Sequence, residues 1–170
     1  QMLLIAMNNT DDRIRKDMRV TPAFLFAALL WHAVNSRVKE FTDKGMPYSV
    51  AIQKSATRVL SQQSDSASIP KRFTSTMRDI WSLQTRFHYR AGKRALAVLE
   101  HEKFRAGYDF LCIRAQAGED VSHDCEWWTD LQKLAAEEQR SKLFDTGKRT
   151  KPKKRRRSKK KKTSKPVNNS

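Results

Sequence analysis

The sequence predicts an all-α fold, and three observations support this prediction. Apolar side chains recur at helical spacing through the middle of the chain. No stretch alternates polar and apolar residues over the length of a strand, and no Asn-Gly step suggests a hairpin. Thr21-Pro22 is a helix start signal, because threonine can cap the first amides and proline tolerates the first helical position. We therefore expect a multi-helix body followed by a disordered tail rich in Lys and Arg.

The central helix is predicted from Pro70 to a break near Gly92, and its two faces differ. On a helical wheel the apolar residues between Phe73 and Phe87 fall within one arc, and basic residues lie opposite them. A second cluster of aromatic and basic residues at helical spacing follows at 99–115. We expect the chain to be organised around the stretch 69–115.

The other predicted helices lie before, within and after this stretch. The helix that starts at Thr21-Pro22 is apolar on most sides as far as Trp31, so we expect it in the middle of the helical packing. The Ser- and Gln-rich stretch 61–68 is predicted to be a loop. Trp127-Trp128 should lie on the buried side of a last helix at 124–144. Further helical segments are predicted at 3–7, 11–18, 48–60 and 93–99, and a longer helix at 102–116.

The sequence divides into three predicted parts. Residues 1–20 are expected to be the end of an upstream, neck-like helical region, because the chain starts at Gln1 rather than Met and reads as part of a longer protein. Residues 21–146 are predicted to form the all-α body, and residues 147–170 the tail. The apolar run Pro22–Val34 is too short to cross a bilayer, which takes about 20 residues.

The net charge of +17 is concentrated near the C-terminal end of the sequence. Thirteen of the 35 basic residues lie between 148 and 165, and no acidic residue follows Asp145. The preceding residues carry the other 22 basic and all 18 acidic side chains, so the body has a net charge of only +4. A segment this charged, with no apolar face, cannot bury enough surface to offset the entropy of ordering. The tail is therefore predicted to be disordered.

The tail is predicted to bind nucleic acid, because lysine and arginine neutralise phosphates and release condensed counterions without any choice of sequence. The alternatives are a solvated, solubilising terminus and contact with an anionic membrane surface, for which the tail lacks an amphipathic period. The candidate RNA-binding residues of the tail are Lys153, Lys154, Arg155, Arg156, Arg157, Lys159, Lys160, Lys161 and Lys162.

The second candidate RNA-binding surface combines cations of the central helix with those that follow it, and we call it the basic stripe. Its residues are Lys71, Arg72, Arg78, Arg86, Arg90, Lys93, Arg94 and Arg105. The alternative is that these side chains are the ordinary solvated face of amphipathic helices. Arg78 and Asp79 are able to pair within the fold. So are Arg105 and Asp109, and such pairs would leave fewer charges for phosphate.

Aromatic residues beside these cations have two interpretations. Unpaired bases stack on aromatic rings in many proteins that bind single-stranded RNA. Aromatic residues at helical spacing with Ile and Leu more often belong to the core, and we expect this for Trp81 and Phe104. Tyr89 lies on the basic side of the wheel, so for this residue both interpretations stay open.

No metal site is predicted from the sequence. Cys112, His123 and Cys125 include a His-x-Cys step, but there is no second cysteine pair at zinc spacing. Two cysteines also make no disulfide framework, and nothing else indicates an oxidising compartment. The expected location is therefore the cytoplasm.

Ordered motifs occupy the middle of the chain. They are Ile69-Pro70-Lys71-Arg72, Arg78-Asp79-Ile80-Trp81, Gly92-Lys93-Arg94-Ala95, Leu99-Glu100-His101, Lys103-Phe104-Arg105-Ala106 and Tyr108-Asp109. Together they resemble the C-terminal region of the bacterial poly(A) polymerase I family, a branch of the tRNA-nucleotidyltransferase-like enzymes. The segment Arg19–Ala28 and the pair Trp127-Trp128 are similar to the same family. The resemblance therefore extends over most of the predicted body.

The resemblance implies a parent enzyme that adds AMP from ATP to RNA 3′ ends without a template, which in bacteria usually marks RNA for decay. Such an enzyme uses ATP and Mg²⁺ in an upstream catalytic head, where an Asp-x-Asp pair follows a Gly-Ser step. Neither pattern occurs in this chain, so we assign it no catalytic residue and no cofactor. The implied partners are single-stranded RNA 3′ ends, the catalytic head and, as a further option, RNA-decay proteins.

Two other functions stay open at this point. The chain could be a non-catalytic adaptor whose basic tail contacts RNA-decay proteins or an anionic membrane surface. It could also be the C-terminal region of a CCA-adding tRNA nucleotidyltransferase. The tail is richer in Lys than the Arg-rich tails of the resembled family, and lysine binds phosphate as a point charge without the planar fork of arginine.

Overall fold

The structure, a computed structural model, describes residues 1–18, 20–66 and 69–145, with no side chains described at 64–66. These residues form eight helices and no strand, which confirms the predicted all-α fold. The predicted disordered tail at 147–170, including the candidate residues Lys153 to Lys162, lies outside the described residues. The helices are α1 (Met2–Arg15), α2 (Pro22–Asp43), α3 (Tyr48–Ser66), α4 (Lys71–Leu83), α5 (Gly92–Leu99), α6 (Phe104–Gln116), α7 (Ser122–Gln132) and α8 (Ala136–Phe144).

Helix α2 starts where the sequence predicts, with an extended Thr21 before Pro22 in the first turn. Four other predicted boundaries are wrong. The central helix, predicted from Pro70 to a break near Gly92, ends at Leu83 as α4. The segments 3–7 and 11–18 form the single helix α1, and α3 continues through most of the predicted loop at 61–68. The predicted last helix at 124–144 is interrupted, so that α7 and α8 are separate helices.

The helices enclose two hydrophobic clusters. The first cluster lies among α1, α2, α3, α4 and α6, and includes Trp31, Ile52 and Trp81. Because α2 contacts α1, α3, α4 and α6, it occupies the middle of this cluster, as its apolar sequence predicts. The second cluster joins the ends of α4 and α6 to α5, α7 and α8, around the fully buried Trp128.

Helices α4 and α6 connect the two clusters. On α4, Ile80 packs in the first cluster and Leu83 in the second. On α6, Phe110 packs in the first cluster and Leu111 in the second. Both helices are therefore buried along more than one face, which agrees with the prediction that the chain is organised around residues 69–115.

A disulfide bond joins α6 to α7, which the sequence analysis did not anticipate. Cys112 and Cys125 are bonded, with their Cα atoms 5.2 Å apart. The expectation that the two cysteines form no disulfide is therefore wrong. The connection between α6 and α7 reverses the chain and brings the two residues together, and this contact cannot be inferred from a spacing of 13 positions.

None of the helices in the described ranges is long and apolar enough to cross a membrane. The apolar run Pro22–Val34 of α2 instead supplies six buried residues to the first cluster. Its hydrophobicity is therefore accounted for by packing against the neighbouring helices.

Gly107 lies at a close contact between α6 and the end of α4. A Cβ atom at this position would lie 2.7 Å from Leu83 Cδ1, 3.2 Å from Leu83 Cβ and 3.3 Å from Phe87 Cζ. Leu83 and Phe87 are each 1% exposed, so neither side chain has room to withdraw. The absence of a side chain at 107 therefore sets the distance between the two helices.

We expect Gly107→Ala to destabilise the protein by about 1–3 kcal/mol, because overpacking a tight helix contact costs this much. The direction is diagnostic, since Ala in place of Gly inside a helix otherwise stabilises by up to about 1 kcal/mol. Urea unfolding followed by circular dichroism measures the change. Gln116→Ala, at an exposed position of the same helix, is the control and should leave the midpoint nearly unchanged. A higher midpoint for Gly107→Ala would contradict the close approach.

Candidate nucleic-acid interface

The predicted basic stripe is distributed over α4, α5, α6 and the 84–91 link between α4 and α5. Lys71, Arg72 and Arg78 are exposed on α4, and Arg86 is exposed in the link. The cations of α5 are exposed as well. Most of the stripe is therefore accessible to a ligand, although it does not form one continuous row on a single helix.

Six cations of the stripe have no ion pair with an acidic side chain in the part of the chain that the structure describes. They are Lys71, Arg72, Arg78, Arg86, Lys93 and Arg94. Two of them lie over aromatic rings. The Arg72 guanidinium is 4.8 Å from the ring centre of Phe73, and that of Arg94 is 5.0 Å from the ring centre of Tyr89. Their charges stay uncompensated and available to phosphate.

Arg90 has a structural position instead. Its Nε and Nη2 atoms both donate to Asp124 Oδ1, at 3.0 and 2.6 Å, and Nη1 lies 2.6 Å from His123 Nε2. The Asp124 side chain is only 18% exposed. Arg90 therefore ties the 84–91 link to the first turn of α7 and retains little capacity for phosphate.

The two internal pairs considered from the sequence have different outcomes. Arg105 Nε lies 3.1 Å from Asp109 Oδ1, so this pair forms on α6. Arg78 Nη1 donates to Thr57 Oγ1 on α3 at 2.8 Å, rather than pairing with Asp79. Arg105 is therefore partly neutralised, whereas Arg78 keeps its full charge on the exposed surface of α4.

The aromatic residues divide between core and surface. Trp81, Phe87 and Trp128 are at most 1% exposed, and Phe104 is 9% exposed, so these rings belong to the core. Tyr89 is half-buried, and its ring centre lies 3.9 Å from that of His88. Tyr89, His88 and Arg94 thus form a partly accessible group of two rings and a cation, to which an unpaired base can be added by stacking.

The sequence analysis missed a polar network around Arg114 in the middle of the fold. Arg114 is 6% exposed, and its Nε and Nη2 atoms each lie 2.9 Å from Glu119 Oε2. Trp31 Nε1 donates to the other Glu119 oxygen at 2.5 Å, and Arg114 Nη1 donates to Gln84 Oε1 at 3.0 Å. Arg114 is therefore a structural cation, although its place among aromatic and basic residues is typical of an RNA-binding arginine.

A cleft between α1 and α6 was also missed, because its cations lie far apart in the sequence. Arg13 Nη1 on α1 donates to Asp109 Oδ2 at 3.0 Å, across 96 positions. Burial raises the pKa of the Asp109 carboxyl above its usual value, because desolvation outweighs the lowering effects of Arg105 and Arg13. The cleft therefore places two guanidinium groups around one shielded carboxyl.

The described residues contain no group of three His, Cys, Asp or Glu side chains that could hold a metal ion. The thiols considered for such a site are joined to each other as the Cys112–Cys125 disulfide. His123 lies against Arg90 instead. The arrangement at this end of α7 thus provides structural contacts between helices.

Comparisons with known proteins agree with the features of the sequence and the fold. A family model described as polymerase A arginine-rich C-terminus matches residues 44–162. Poly(A) polymerase I of Escherichia coli O157:H7 is 39% identical over 151 residues, which are 87% of this chain and 32% of that protein. Poly(A) polymerase I of Salmonella typhi is 41% identical over 140 residues, which are 81% of this chain and 30% of that protein.

A more distant relative, poly(A) polymerase I of Haemophilus influenzae, is 34% identical over 155 residues, which are 90% of this chain and 34% of that protein. The chain thus spans about one third of the length of the curated relatives it matches. The matched part of these relatives is their C-terminal part. The chain therefore belongs to the polymerase A arginine-rich C-terminus family and is similar to the C-terminal region of bacterial poly(A) polymerase I.

Proposed function

We propose that this chain holds RNA for a bacterial poly(A) polymerase. The observation that carries the proposal is the set of exposed cations without acidic partners on α4, α5 and the link between them, next to the half-buried ring of Tyr89. Cations bind the phosphates of any sequence, and an accessible ring can stack on an unpaired base. This combination suits single-stranded RNA 3′ ends of varied sequence.

The basic tail is proposed to act as a tether beside this surface. Its 13 cations within 18 positions would attract RNA over several nanometres of chain and without sequence choice. A tethered strand has a raised effective concentration at the neighbouring surface. The tail is thus expected to supply most of the affinity, and the body to position the strand.

The parent enzyme is proposed to add AMP from ATP to RNA 3′ ends without a template, as part of RNA processing and decay. ATP and Mg²⁺ would be bound by an upstream catalytic head, because this chain has neither a Gly-Ser step nor an Asp-x-Asp pair. The proposed location is the cytoplasm.

Removal of the tail is expected to weaken RNA binding strongly. Fluorescence anisotropy of a labelled single-stranded RNA is measured with residues 1–170 and with a variant that ends at Gly147, over a series of salt concentrations. The short variant should bind about tenfold or more weakly near 0.1 M salt, with a shallower dependence on salt, because it makes fewer phosphate contacts.

Equal affinities and equal salt slopes for the two proteins would contradict the proposed tether. If neither protein binds RNA at low salt, the RNA-holding function fails as a whole. Capture of proteins that survives nuclease treatment would then favour an adaptor. Circular dichroism of both proteins is the control, since the two hydrophobic clusters lie entirely within residues that the short variant retains.

A further inference from the structure

A cleft of the described residues lies between α1, the start of α2 and α6. Its volume is about 620 Å³. Binding sites for small molecules commonly have volumes of about 300–1,000 Å³, so the cleft is large enough for a nucleotide. The proposed function so far makes no use of this cleft, because it lies against α1 rather than on α5 or the 84–91 link.

The cleft is lined by paired guanidinium groups. Arg13 and Arg105 both contact Asp109, at 3.0 and 3.1 Å, and the Asp109 side chain is only 24% exposed. The Arg105 side chain is 63% exposed, so its guanidinium group is accessible from the cleft. Planar guanidinium groups held in place by a shared acid are suited to phosphate, because their geometry is fixed before the ligand arrives.

Two lysines extend this positive charge along the lining. Lys16 is exposed and has no ion pair within the described ranges, and Lys103 lies 3.7 Å from Glu102. Asp12, the remaining acid of the lining, is held by Arg15, which is outside it. A second phosphate or the backbone of a strand could therefore be neutralised by the lysines.

The lining also has features that suit a base. The ring of Tyr108 is half-buried and is held by its hydroxyl group, 2.7 Å from Thr129 Oγ1. Phe24 adds a second, partly buried ring. The exposed side chains of Asn9 and Gln116 supply amide donors and acceptors that can hydrogen-bond the edge of a base.

We propose that this cleft binds a phosphorylated nucleotide, either free or as one residue of a single-stranded RNA. Arg13, Arg105 and the two lysines would hold the phosphate, and Tyr108 would contact the base. For a nucleotide within RNA, the proposal rests on the proposed function and adds a defined site to it. For a free nucleotide it stands alone.

The test compares two variants of the whole chain that lose the same charge. The cleft variant carries Lys16→Gln and Lys103→Gln. The control variant carries Lys39→Gln and Lys44→Gln, which are exposed lysines near the end of α2 and outside the cleft. Thermal unfolding of both variants verifies that each is folded.

Photo-crosslinking with 8-azido-ATP tests the free nucleotide, and anisotropy with a labelled adenylate decamer tests the strand. Label is expected in peptides from residues 9–24 and 102–116, and it should fall at least about fivefold in the cleft variant only. For the decamer, the salt slope of the cleft variant should be shallower by about 2, since each lost phosphate contact removes about 1. Competition by unlabelled ATP or by the decamer identifies which form of nucleotide occupies the cleft.

Three results would overturn the proposal. The first is label that maps elsewhere on the chain, and the second is an equal loss in the cleft and control variants. The third is inorganic phosphate competing as well as ATP, because the base would then contribute nothing. If the unmodified chain binds no RNA, the proposed function fails. Labelling by 8-azido-ATP then still shows whether the cleft binds a free nucleotide.

Discussion

Trp128→Ala is expected to lower the free energy of unfolding by about 3–5 kcal/mol, the range for removing a large aromatic side chain from a core. Trp128 is fully buried, and its ring centre lies 5.6 Å from that of Phe87 and 5.5 Å from that of Phe104. Its Nε1 atom donates to the carbonyl oxygen of Phe87 at 2.8 Å. The variant therefore creates a cavity and also leaves a buried carbonyl without its donor.

The neighbouring tryptophan is a matched control. Trp127 is half-buried and contacts Trp128 and Lys142 at the edge of the second cluster. Trp127→Ala should therefore cost clearly less, and urea unfolding of both variants by fluorescence or circular dichroism measures the difference. Equal losses would show that Trp128 is not the centre of this cluster.

Trp128→Ala also tests whether the second hydrophobic cluster supports the candidate RNA surface. Trp128 holds the carbonyl of Phe87 within the 84–91 link, and Arg90 ties the same link to α7. Tyr89 lies on this link between Phe87 and Arg90, and Arg86 immediately precedes Phe87. Weaker packing of α7 against this link should therefore displace Arg86 and Tyr89 from the candidate RNA surface, although none of the exposed cations is substituted.

The fold class was predictable because burial of one face of a helix gives the sequence a local apolar periodicity. The apolar arc from Phe73 to Phe87 and the basic face opposite it follow from a period of 3.6 residues, which requires no knowledge of tertiary contacts. The start of α2 was predictable for a similar reason, since the geometry of Thr21-Pro22 is set by those two residues alone. The arc survives only as far as Leu83, because α4 ends there and Phe87 lies in the 84–91 link. Helix α2 starts as predicted, but the Thr21 side chain makes no capping hydrogen bond.

The interruption between α7 and α8 had no such signal. The residues Lys133, Leu134 and Ala135 are not glycine or proline, and an uninterrupted helix is compatible with them. The break lets α8 turn back so that Leu143, fully buried, packs in the second cluster beside α5. Tertiary packing therefore overrides local preference here, and sequence periodicity alone cannot anticipate it.

The candidate site also has features that were predictable from the sequence and features that were not. Exposure of Lys71 follows from its face of the wheel and was predictable. Lys93 and Arg94 are also exposed, but they lie on α5 and not on the helix for which the wheel was drawn. Which arginines are structural was not, because the acid that pairs with Arg90 is 34 positions away. The cleft between α1 and α6 depends on an even longer separation.

Glu119→Ala is expected to lower the free energy of unfolding by about 3 kcal/mol, near the lower end for breaking a buried ion pair. Arg114 would keep its charge at 7% side-chain exposure while it loses both contacts to the carboxylate. Trp31 would lose the acceptor of its indole N–H in the same step. The lower end applies because the Glu119 side chain is itself 25% exposed, so water replaces part of the lost interaction.

A double-mutant cycle separates the cost of an orphaned charge from the value of the pair itself. Arg114→Met combined with Glu119→Ala should cost less than Glu119→Ala alone, because the apolar side chain needs no partner at this buried position. The free energies of Glu119→Ala, Arg114→Met and the double variant are obtained from urea unfolding, each relative to the unmodified chain. If the costs of the single variants simply add, the two side chains are not coupled, and the network around Arg114 would not be what joins α2, α4 and α6. If the double variant recovers stability, Arg114 is a structural cation whose charge must be compensated within the fold. The arginines available to RNA are then the exposed ones of the basic stripe.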